Sequence, residues 1–149
     1  MKIAMGSDHG GFELKEIIKK HLIEKGHDVL DMGTNNLESV DYSDFGIKTA
    51  EMVANGEAER GIVICGTGIG IGISANKVKG IRCALCHDVY SAEMTRAHND
   101  SNMLSMGGRV IGRDLAIRVV EAWLTTAFEG GRHLRRIQKI SDYENLNCG

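Results

Sequence analysis

Residues 61–76, GIVICGTGIGIGISAN, predict both the fold and the position of a ligand site. They form a run of 16 residues without a charged side chain. Residues 62–64 are apolar and β-branched, which is typical of a buried strand. Cys65 ends that run, and glycine then takes every second position from Gly66 to Gly72. The pattern predicts a strand, a glycine-rich loop and a helix that begins at about Ser74 and continues to about Val78.

A glycine loop between a strand and a helix is suited to an anion. Glycine allows tight turns and lets a ligand approach the backbone closely. The free N–H groups at a helix start, with the helix dipole behind them, attract negative charge. Cys65 lies beside this loop, where a thiolate is stabilised. Cys65 is therefore a candidate nucleophile or base, and an inert strand-end thiol is the alternative.

The loop spacing argues against two common nucleotide sites. A dinucleotide fingerprint requires G-x-G-x-x-G, and Ile71 or Ile73 takes the last position here. No Gly-Lys-Ser/Thr ending of a P-loop is present. Asp88 does lie near the position of a ribose-binding carboxylate, so a nucleotide-binding module stays open. A cysteine hydrolase and a loop without a ligand also stay open.

Size and charge indicate one domain, residues 1–149, with a normal core. The chain has 149 residues, of which 42% are apolar. Its net charge of −2 gives no indication of nucleic acid binding, and the uncharged stretch is too short for a membrane span. Residues 1–60 carry 7 basic and 12 acidic groups, whereas residues 109–139 carry 7 basic and 3 acidic groups. The basic segment indicates either an acidic ligand or a solvated helix face.

The four cysteines are expected to be free thiols in a reducing, cytoplasmic setting. Cys83 and Cys86 have the spacing of half a zinc site, but they lie on one predicted strand, residues 81–86. Their odd separation points the two thiols to opposite faces, so no metal is expected there. The remaining two are Cys65 and Cys148. No signal peptide is visible before the first strand.

Strand and helix patterns alternate along the chain. Strands are predicted at residues 2–5, 29–32, 62–64, 81–86 and 103–106, and helices at residues 14–25, 42–55, 74–78, 91–98, 116–127 and 133–143. This alternation predicts a five-stranded parallel sheet with helices on both faces. Ligands bind beyond the carboxyl ends of such strands, where residues 8–9, 65–72, 87–88 and 107–109 lie. The His98-Asn99 turn ends a helix, so the fold or a neighbouring subunit must bring it to that edge.

The candidate side chains suit an aldose–ketose isomerase acting on a phosphorylated sugar. Cys65 offers a base for the proton that moves between C1 and C2, and loop N–H groups can hold the enediolate oxygen. A histidine and a carboxylate can open the sugar ring. Arg132 and Arg136 stand four residues apart on one helix face and can grip a phosphate, although a generic basic surface fits equally well. This chemistry needs no metal and no cofactor.

Seven motifs occur together over nearly the whole chain. They are Gly6-Ser7-Asp8-His9-Gly10-Gly11, Asp41-Tyr42, Cys65-Gly66-Thr67-Gly68-Ile69-Gly70, Ser74-Ala75-Asn76-Lys77, Arg82-Cys83-Ala84, His98-Asn99 and Gly107-Gly108-Arg109. In this combination the chain resembles the ribose-5-phosphate isomerase B family, which also contains the galactose-6-phosphate isomerase subunits. The family has a branch with a glutamate in the glycine loop. Ile71 stands there in this chain, so it resembles the cysteine branch. Ser43 replaces a proline that is frequent in the family.

The resemblance implies a three-layer α/β/α, Rossmann-like domain that interconverts D-ribose 5-phosphate and D-ribulose 5-phosphate, with hexose 6-phosphates of the allose or galactose type as the alternative. It implies Cys65 as the base, His98 as the ring-opening acid aided by Asp8, and an enediolate held by Thr67 and the amides of Gly66, Gly68, Ile69 and Gly70. It implies that Tyr42, Asn99 and Arg109 contact the substrate and that His9, Arg132 and Arg136 hold the phosphate. It also implies a homodimer or homotetramer with sites at the dimer interface and a C-terminal helix that reaches a partner subunit.

Overall fold

The computed structural model describes residues 1–147, so Cys148 lies outside the described residues. Five strands form one parallel sheet in the order β2-β1-β3-β5-β4. Their bounds are β1 Lys2–Ser7, β2 Asp28–Asp31, β3 Arg60–Cys65, β4 Cys83–Leu85 and β5 Met103–Gly107. The five-stranded parallel sheet predicted from the alternating pattern is confirmed.

Helices cover both faces of this sheet. Their bounds are α1 Phe12–Glu24, α2 Tyr42–Ala54, α3 Ile69–Ala75, α4 Val89–Asn99, α5 Arg113–Thr125 and α6 Arg132–Asn147. Helices α1, α4 and α5 pack on one face, α2 and α3 pack on the other, and α6 contacts α4. The three-layer α/β/α architecture is therefore confirmed.

The strands are apolar on both sides because each face lies under helices. In β1, Ile3 and Met5 point into the core below α1 and α5, whereas Ala4 points into the core below α2 and α3. Large buried side chains of this kind each contribute about 1.5–3 kcal/mol. Cys86 belongs to the first core and Cys83 packs against the second, as their odd spacing predicts. Cys65, Cys83 and Cys86 are free thiols.

Trp123 is the largest fully buried side chain in the first core. Its indole N–H donates to the Ser101 hydroxyl oxygen at 2.9 Å. The Arg60 guanidinium lies 5.3 Å from the ring centroid, in a cation–π contact, and also donates to the Trp123 carbonyl oxygen. These contacts tie α5 to the start of β3 and to the turn that follows α4.

The prediction that the third helix spans residues 74–78 is wrong, because α3 begins at Ile69 and ends at Ala75. Gly68 takes a left-handed conformation with φ of +78°, which starts the helix directly after the turn. Gly70 and Gly72 are helical residues on close-packed faces. A Cβ on Gly70 would lie 2.7 Å from the Tyr42 ring, and one on Gly72 would lie 2.8 Å from the Ser105 hydroxyl oxygen. Alternating glycines therefore mark close helix packing here as well as a loop.

The remaining boundaries differ from prediction mainly at their ends. Strand β4 spans three residues instead of residues 81–86, and α4 begins at Val89 instead of residue 91. Helix α6 extends from Arg132 to Asn147, beyond the predicted end at residue 143. Within residues 1–147, each helix is too short or too polar to cross a lipid bilayer.

The order of the strands creates a crevice at their carboxyl ends. After β2 the chain returns past β1 to place β3 on its other side, with α1 and α2 on opposite faces of the sheet. The loops that follow β1 and β3 therefore diverge from adjacent strands. Such a switch point is the usual place for a ligand in an open parallel sheet.

Candidate active site

The centre of the candidate site is Cys65, the last residue of β3. Its side chain is buried, and its sulfur accepts the N–H of Gly68 at 3.1 Å. The exposed Thr67 lies between them, and its hydroxyl oxygen accepts the N–H of Ile69 at 3.2 Å. The left-handed turn at Gly68 thus brings one backbone N–H to the sulfur and holds the Thr67 hydroxyl at the start of α3.

The loop after β1 lies against this turn. The buried Asp8 accepts the N–H of Gly11 through Oδ1 at 3.1 Å, and its own N–H donates to the Ile64 carbonyl oxygen. A Cβ on Gly10 would lie 3.1 Å from the backbone nitrogen of Gly66, so glycine is needed where the two loops meet. The His9 ring accepts the N–H of Val40 through Nδ1 at 3.2 Å. That contact leaves Nε2 of His9 as the donor of a neutral ring.

The loop after β5 completes this group. The N–H of Gly108 donates to the Cys65 carbonyl oxygen at 2.8 Å, and the N–H of Arg109 donates to the Gly66 carbonyl oxygen at 3.0 Å. A Cβ on Gly66 would lie 3.1 Å from Nη1 of Arg109, so the exposed guanidinium group lies over the glycine loop. His87, from the loop after β4, accepts the N–H of Gly107 through Nε2 at 2.8 Å.

The structure therefore brings together the predicted residues of three strand ends: Asp8, His9, Cys65, Thr67 and Arg109. Tyr42 joins them as the first residue of α2, since its ring lies against Gly70. The sequence placed His87 only at a strand end. In the structure, its ring supports the loop after β5 by accepting the Gly107 N–H. We name Asp8, His9, Tyr42, Cys65, Thr67 and Arg109 the cysteine set.

His98 and Asn99 lie near the opposite ends of the strands, where β3 and β5 begin. They end α4, and the Asn99 carbonyl oxygen accepts the Arg82 side chain at 2.9 Å. Asn102, in the same turn, accepts the N–H of Gly61 at the start of β3. Gly61 and Cys65 are separated by four strand steps, or about 13 Å. The structure does not bring His98 and Asn99 to Cys65 within one chain.

Arg132 and Arg136 lie on the same side of the molecule as His98. They belong to the first turns of α6 and are exposed, while His133 and Ile137 bury the opposite face of that helix. The segment before α6 is attached to α4, because the N–H of Glu129 donates to the Ala97 carbonyl oxygen at 3.0 Å. We name His98, Asn99, Arg132 and Arg136 the histidine set.

His133 belongs beside the histidine set, although the sequence analysis named it only as the start of a helix. The residue is 5% exposed, and its ring stacks on the His98 ring, with centroids 4.2 Å apart and planes 9° apart. Burial lowers the pKa of His133, and the nearby His98 and Arg132 lower it further. The four-residue spacing from Glu129 was the available signal, and Oε1 of that glutamate lies 3.6 Å from Nε2 of His133.

The other two described cysteines are poor candidates for catalysis. Burial raises the pKa of Cys83 to about 12 and that of Cys86 to about 11. Both thiols are therefore protonated at neutral pH. Neither thiol lies at a helix start, where a thiolate would be stabilised.

A small cavity of about 150 Å³ lies beside the glycine turn and is lined partly by Gly68 and Ile69. A larger cavity, of about 510 Å³, lies beside Lys2 and Glu57, near the ends at which the strands begin. A second, of about 420 Å³, lies between α4 and α6 and is lined by Asn99, Arg82 and Ile140. The cavity between α4 and α6 therefore adjoins the histidine set.

Comparison with known proteins connects this geometry to a family. Residues 3–140 match the family model described as Ribose/Galactose Isomerase. Ribose-5-phosphate isomerase B of Escherichia coli (strain K12) is 50% identical over 143 residues, which are 96% of each chain. The structure of Clostridium thermocellum ribose-5-phosphate isomerase B has a TM-score of 0.97 at 55% identity, covering 98% of this chain and 99% of that one.

A further solved structure carries a sugar phosphate. It is ribose-5-phosphate isomerase B from Mycoplasma genitalium with bound ribulose-5-phosphate, which is 42% identical and has a TM-score of 0.93. The similarity covers 97% of this chain and 96% of that one. With a matching family model over most of its length and relatives at 50% identity or above, this chain belongs to the ribose/galactose isomerase family.

Proposed function

We propose that this protein is a metal-independent aldose–ketose isomerase that interconverts D-ribose 5-phosphate and D-ribulose 5-phosphate. The observation that carries the proposal is the Cys65 sulfur beside the Gly68 N–H, in a chain 55% identical to a ribose-5-phosphate isomerase B. The single domain, residues 1–149, supplies all the side chains that the reaction needs. Free thiols support a reducing, cytoplasmic location.

The proton transfer is assigned to Cys65. Its thiolate removes the proton from C2 of the open-chain aldose, and the C1 oxygen becomes the negative enediolate oxygen. A proton passes from the C2 hydroxyl to the C1 oxygen, and the Cys65 thiol protonates C1, which leaves the ketose carbonyl at C2. The hydroxyl of Thr67 and the backbone N–H groups of residues 66–70 stabilise the negative oxygen as it forms. Arg109 and Tyr42 lie at the rim of the glycine loop, where they can contact the sugar.

Ring opening and phosphate binding are assigned to the histidine set. His98 protonates the ring oxygen, Asp8 assists, and Asn99 contacts the sugar. Arg132, Arg136 and His9 hold the phosphate, because two guanidinium groups and a ring N–H match its oxygens. Asp8 and His9 belong to the cysteine set, so the substrate must span both sets.

The separation of the two sets supports a site formed by two copies of the chain. One copy would supply Cys65 and its loops, and the other would supply His98, Asn99, Arg132 and Arg136. Exposed apolar side chains next to the glycine loop support a contact there: Ile69, Ile73 and Leu85. Helix α6 also exposes Leu134 and Leu146, which fits a C-terminal helix that reaches the partner subunit. The assembly is a homodimer or a homotetramer.

An NMR time course tests the reaction class. Ribose 5-phosphate is mixed with the pure protein in EDTA, and we expect ribulose 5-phosphate to appear. Absence of conversion for ribose 5-phosphate and for hexose 6-phosphates would overturn the proposal.

Hexose 6-phosphates of the allose or galactose type are the second candidate substrates, because the matching family model is described as Ribose/Galactose Isomerase. A comparison of kcat/KM between ribose 5-phosphate and galactose 6-phosphate separates the two. A nucleotide-binding module would instead be stabilised against heat by NAD or ATP and not by sugar phosphates.

A further inference from the structure

His98, Glu129 and His133 form a compact group of metal-ligating side chains. One ligand atom from each lies within 4.8 Å of the other two. The three come from separate parts of the chain, namely the end of α4, the segment before α6 and the first turn of α6. The hydrogen bond from the Glu129 N–H to the Ala97 carbonyl oxygen, 3.0 Å long, holds the segment against the end of α4.

The donor set is one that zinc uses. Two imidazoles and one carboxylate, with the fourth position left open, bind Zn²⁺ in well-known zinc enzymes. Tetrahedral ligands at Zn²⁺ lie about 3.3–3.6 Å from each other, given bonds of about 2.0–2.2 Å. His133 Nε2 and Glu129 Oε1 are 3.6 Å apart, and Glu129 is 55% exposed on its side chain and free to turn inwards.

An unsatisfied nitrogen points into this group. Within residues 1–147, Nε2 of His133 is buried and has no hydrogen-bond partner. A buried polar atom without a partner is unfavourable, so a group that accepts the lone pair of Nε2 is favoured in the tautomer that carries the proton on Nδ1. The Glu129 carboxylate, 3.6 Å away, cannot donate a hydrogen bond when ionised. A cation between the two would satisfy both.

We propose that His98, Glu129 and His133 bind Zn²⁺ and that the bound ion inhibits the enzyme. The stacked rings must separate for this, since parallel rings aim their lone pairs in parallel directions and not at one point. A metal on the His98 ring occupies the nitrogen that ring opening requires. The inhibition rests on the proposed function, whereas the binding site does not.

Cys65 is the competing ligand, because thiolates bind Zn²⁺ strongly. The two sites differ in chemistry, since the proposed one offers only nitrogen and oxygen. Cobalt distinguishes them: Co²⁺ at the proposed site gives a d–d spectrum without a sulfur-to-cobalt charge-transfer band. A charge-transfer band that disappears in Cys65→Ala would instead assign the metal to the thiol and overturn the proposal.

Titration calorimetry with ZnCl₂ on the full chain tests binding without reference to activity. We expect one Zn²⁺ per chain, reversed by EDTA and retained in Cys65→Ala. Glu129→Gln should weaken binding about tenfold or more, because even supporting residues of metal ligands contribute that much. Asp142→Asn removes a carboxylate from the same helix, away from the cluster, and should bind as the unchanged protein does. If Glu129→Gln and His133→Asn both bound Zn²⁺ with the affinity of the unchanged protein, the proposal would be overturned.

The isomerase assay then tests inhibition. Zn²⁺ should reduce the conversion of ribose 5-phosphate by the unchanged protein, and EDTA should restore it. Glu129→Gln should have unchanged basal activity and should need about tenfold more Zn²⁺ for the same inhibition. If Zn²⁺ inhibited the unchanged protein and Glu129→Gln equally, the cluster would be excluded as the cause of the inhibition. If no sugar phosphate is converted, the proposed function fails, while calorimetry still decides the metal site.

Discussion

The assignment of Cys65 as the base concerns one sulfur atom and can be tested there. Cys65→Ala should reduce kcat for ribose 5-phosphate by at least about 100-fold, because the proton transfer loses its base. The fold should survive, since only a small side chain at the end of β3 is shortened. Cys83→Ala is the matched control, because burial keeps that thiol protonated and we assign it no role. Turnover near normal in Cys65→Ala would refute the assignment.

His98 should act only on the ring form of the substrate. Ribulose 5-phosphate stays open-chain, because its C5 hydroxyl carries the phosphate. We therefore expect His98→Asn to lose conversion of ribose 5-phosphate and to keep enzyme-dependent deuterium exchange at C1 of ribulose 5-phosphate in D₂O, followed by NMR. Cys65→Ala should lose both. Loss of the exchange in His98→Asn would move His98 into the proton-transfer step.

Gly68 is required by backbone conformation and by space. Its φ is +78°, and a Cβ there would lie 2.5 Å from the Met106 carbonyl carbon. Gly68→Ala should lower the free energy of unfolding by roughly 2–5 kcal/mol through the left-handed conformation and the clash together. Gly56→Ala is the control, since φ is +77° and no heavy atom lies within 4 Å of its Cβ position. Urea unfolding should show a loss of only about 1–2 kcal/mol for that control.

At the scale of elements, a buried ion pair connects α1 to the end of β2. Lys15, which is fully buried, donates to both carboxylate oxygens of Asp31, and Lys19 donates to one of them. Burial alone would raise the pKa of Asp31. The hydrogen bonds from Lys15, Lys19 and the Gly33 N–H outweigh burial and hold that pKa below its usual range. Asp31 therefore stabilises the fold above the pKa it has when unfolded, and this contribution is lost as the pH falls through its folded value.

Asp31→Asn should lower the free energy of unfolding at pH 7 by about 3 kcal/mol, because the buried Lys15 loses its main partner. The variant should also lose less stability than the unchanged protein between pH 5 and pH 2, since the lowered pKa is gone. Urea unfolding across this range measures both effects. Asp28→Asn, at the exposed start of β2, is the control. An unchanged acid limb in Asp31→Asn would show that other carboxylates control acid unfolding.

Sequence patterns were sufficient for the sheet and insufficient for α3. The apolar run at residues 62–64 and the alternation of strands with helices require only local information, and the structure confirms them. The start of α3 depends on what Gly70 and Gly72 face, namely the Tyr42 ring and the Ser105 hydroxyl. Those neighbours are distant in the chain, so a run of glycines resembled an open loop. The stacking of His133 on His98 escaped prediction for the same reason.

At the scale of the whole molecule, the two halves of the candidate site lie at opposite ends of the strands of one sheet. The sequence predicted that the His98-Asn99 turn needs the fold or a second subunit to reach the glycine loop. The structure brings Cys65, Asp8 and Arg109 together, whereas His98 lies beside the turn that contacts Gly61, four strand steps or about 13 Å from Cys65 along β3. In the proposed site, a second copy of the chain therefore supplies the histidine set.

Mixing two inactive variants tests this arrangement. In a two-fold symmetric dimer of Cys65→Ala with His98→Asn, one site carries both changes and the other carries neither. Equal amounts that exchange subunits at random should recover roughly one quarter of full activity. Each variant alone, and the mixture before exchange, provide the controls. A mixture that stays inactive after proven exchange would show that each site belongs to one chain.

Trp123 is the only tryptophan of the chain, and it lies fully buried between α5, Ser101 and Arg60. Its fluorescence therefore comes from one known place in the core below α1, α4 and α5. Unfolding moves this single indole from a dry, close-packed environment into water, so its emission should shift to longer wavelength in one step. Each variant above thus contains its own optical reporter of folding, and a lost activity can be separated from a lost fold in the same cuvette.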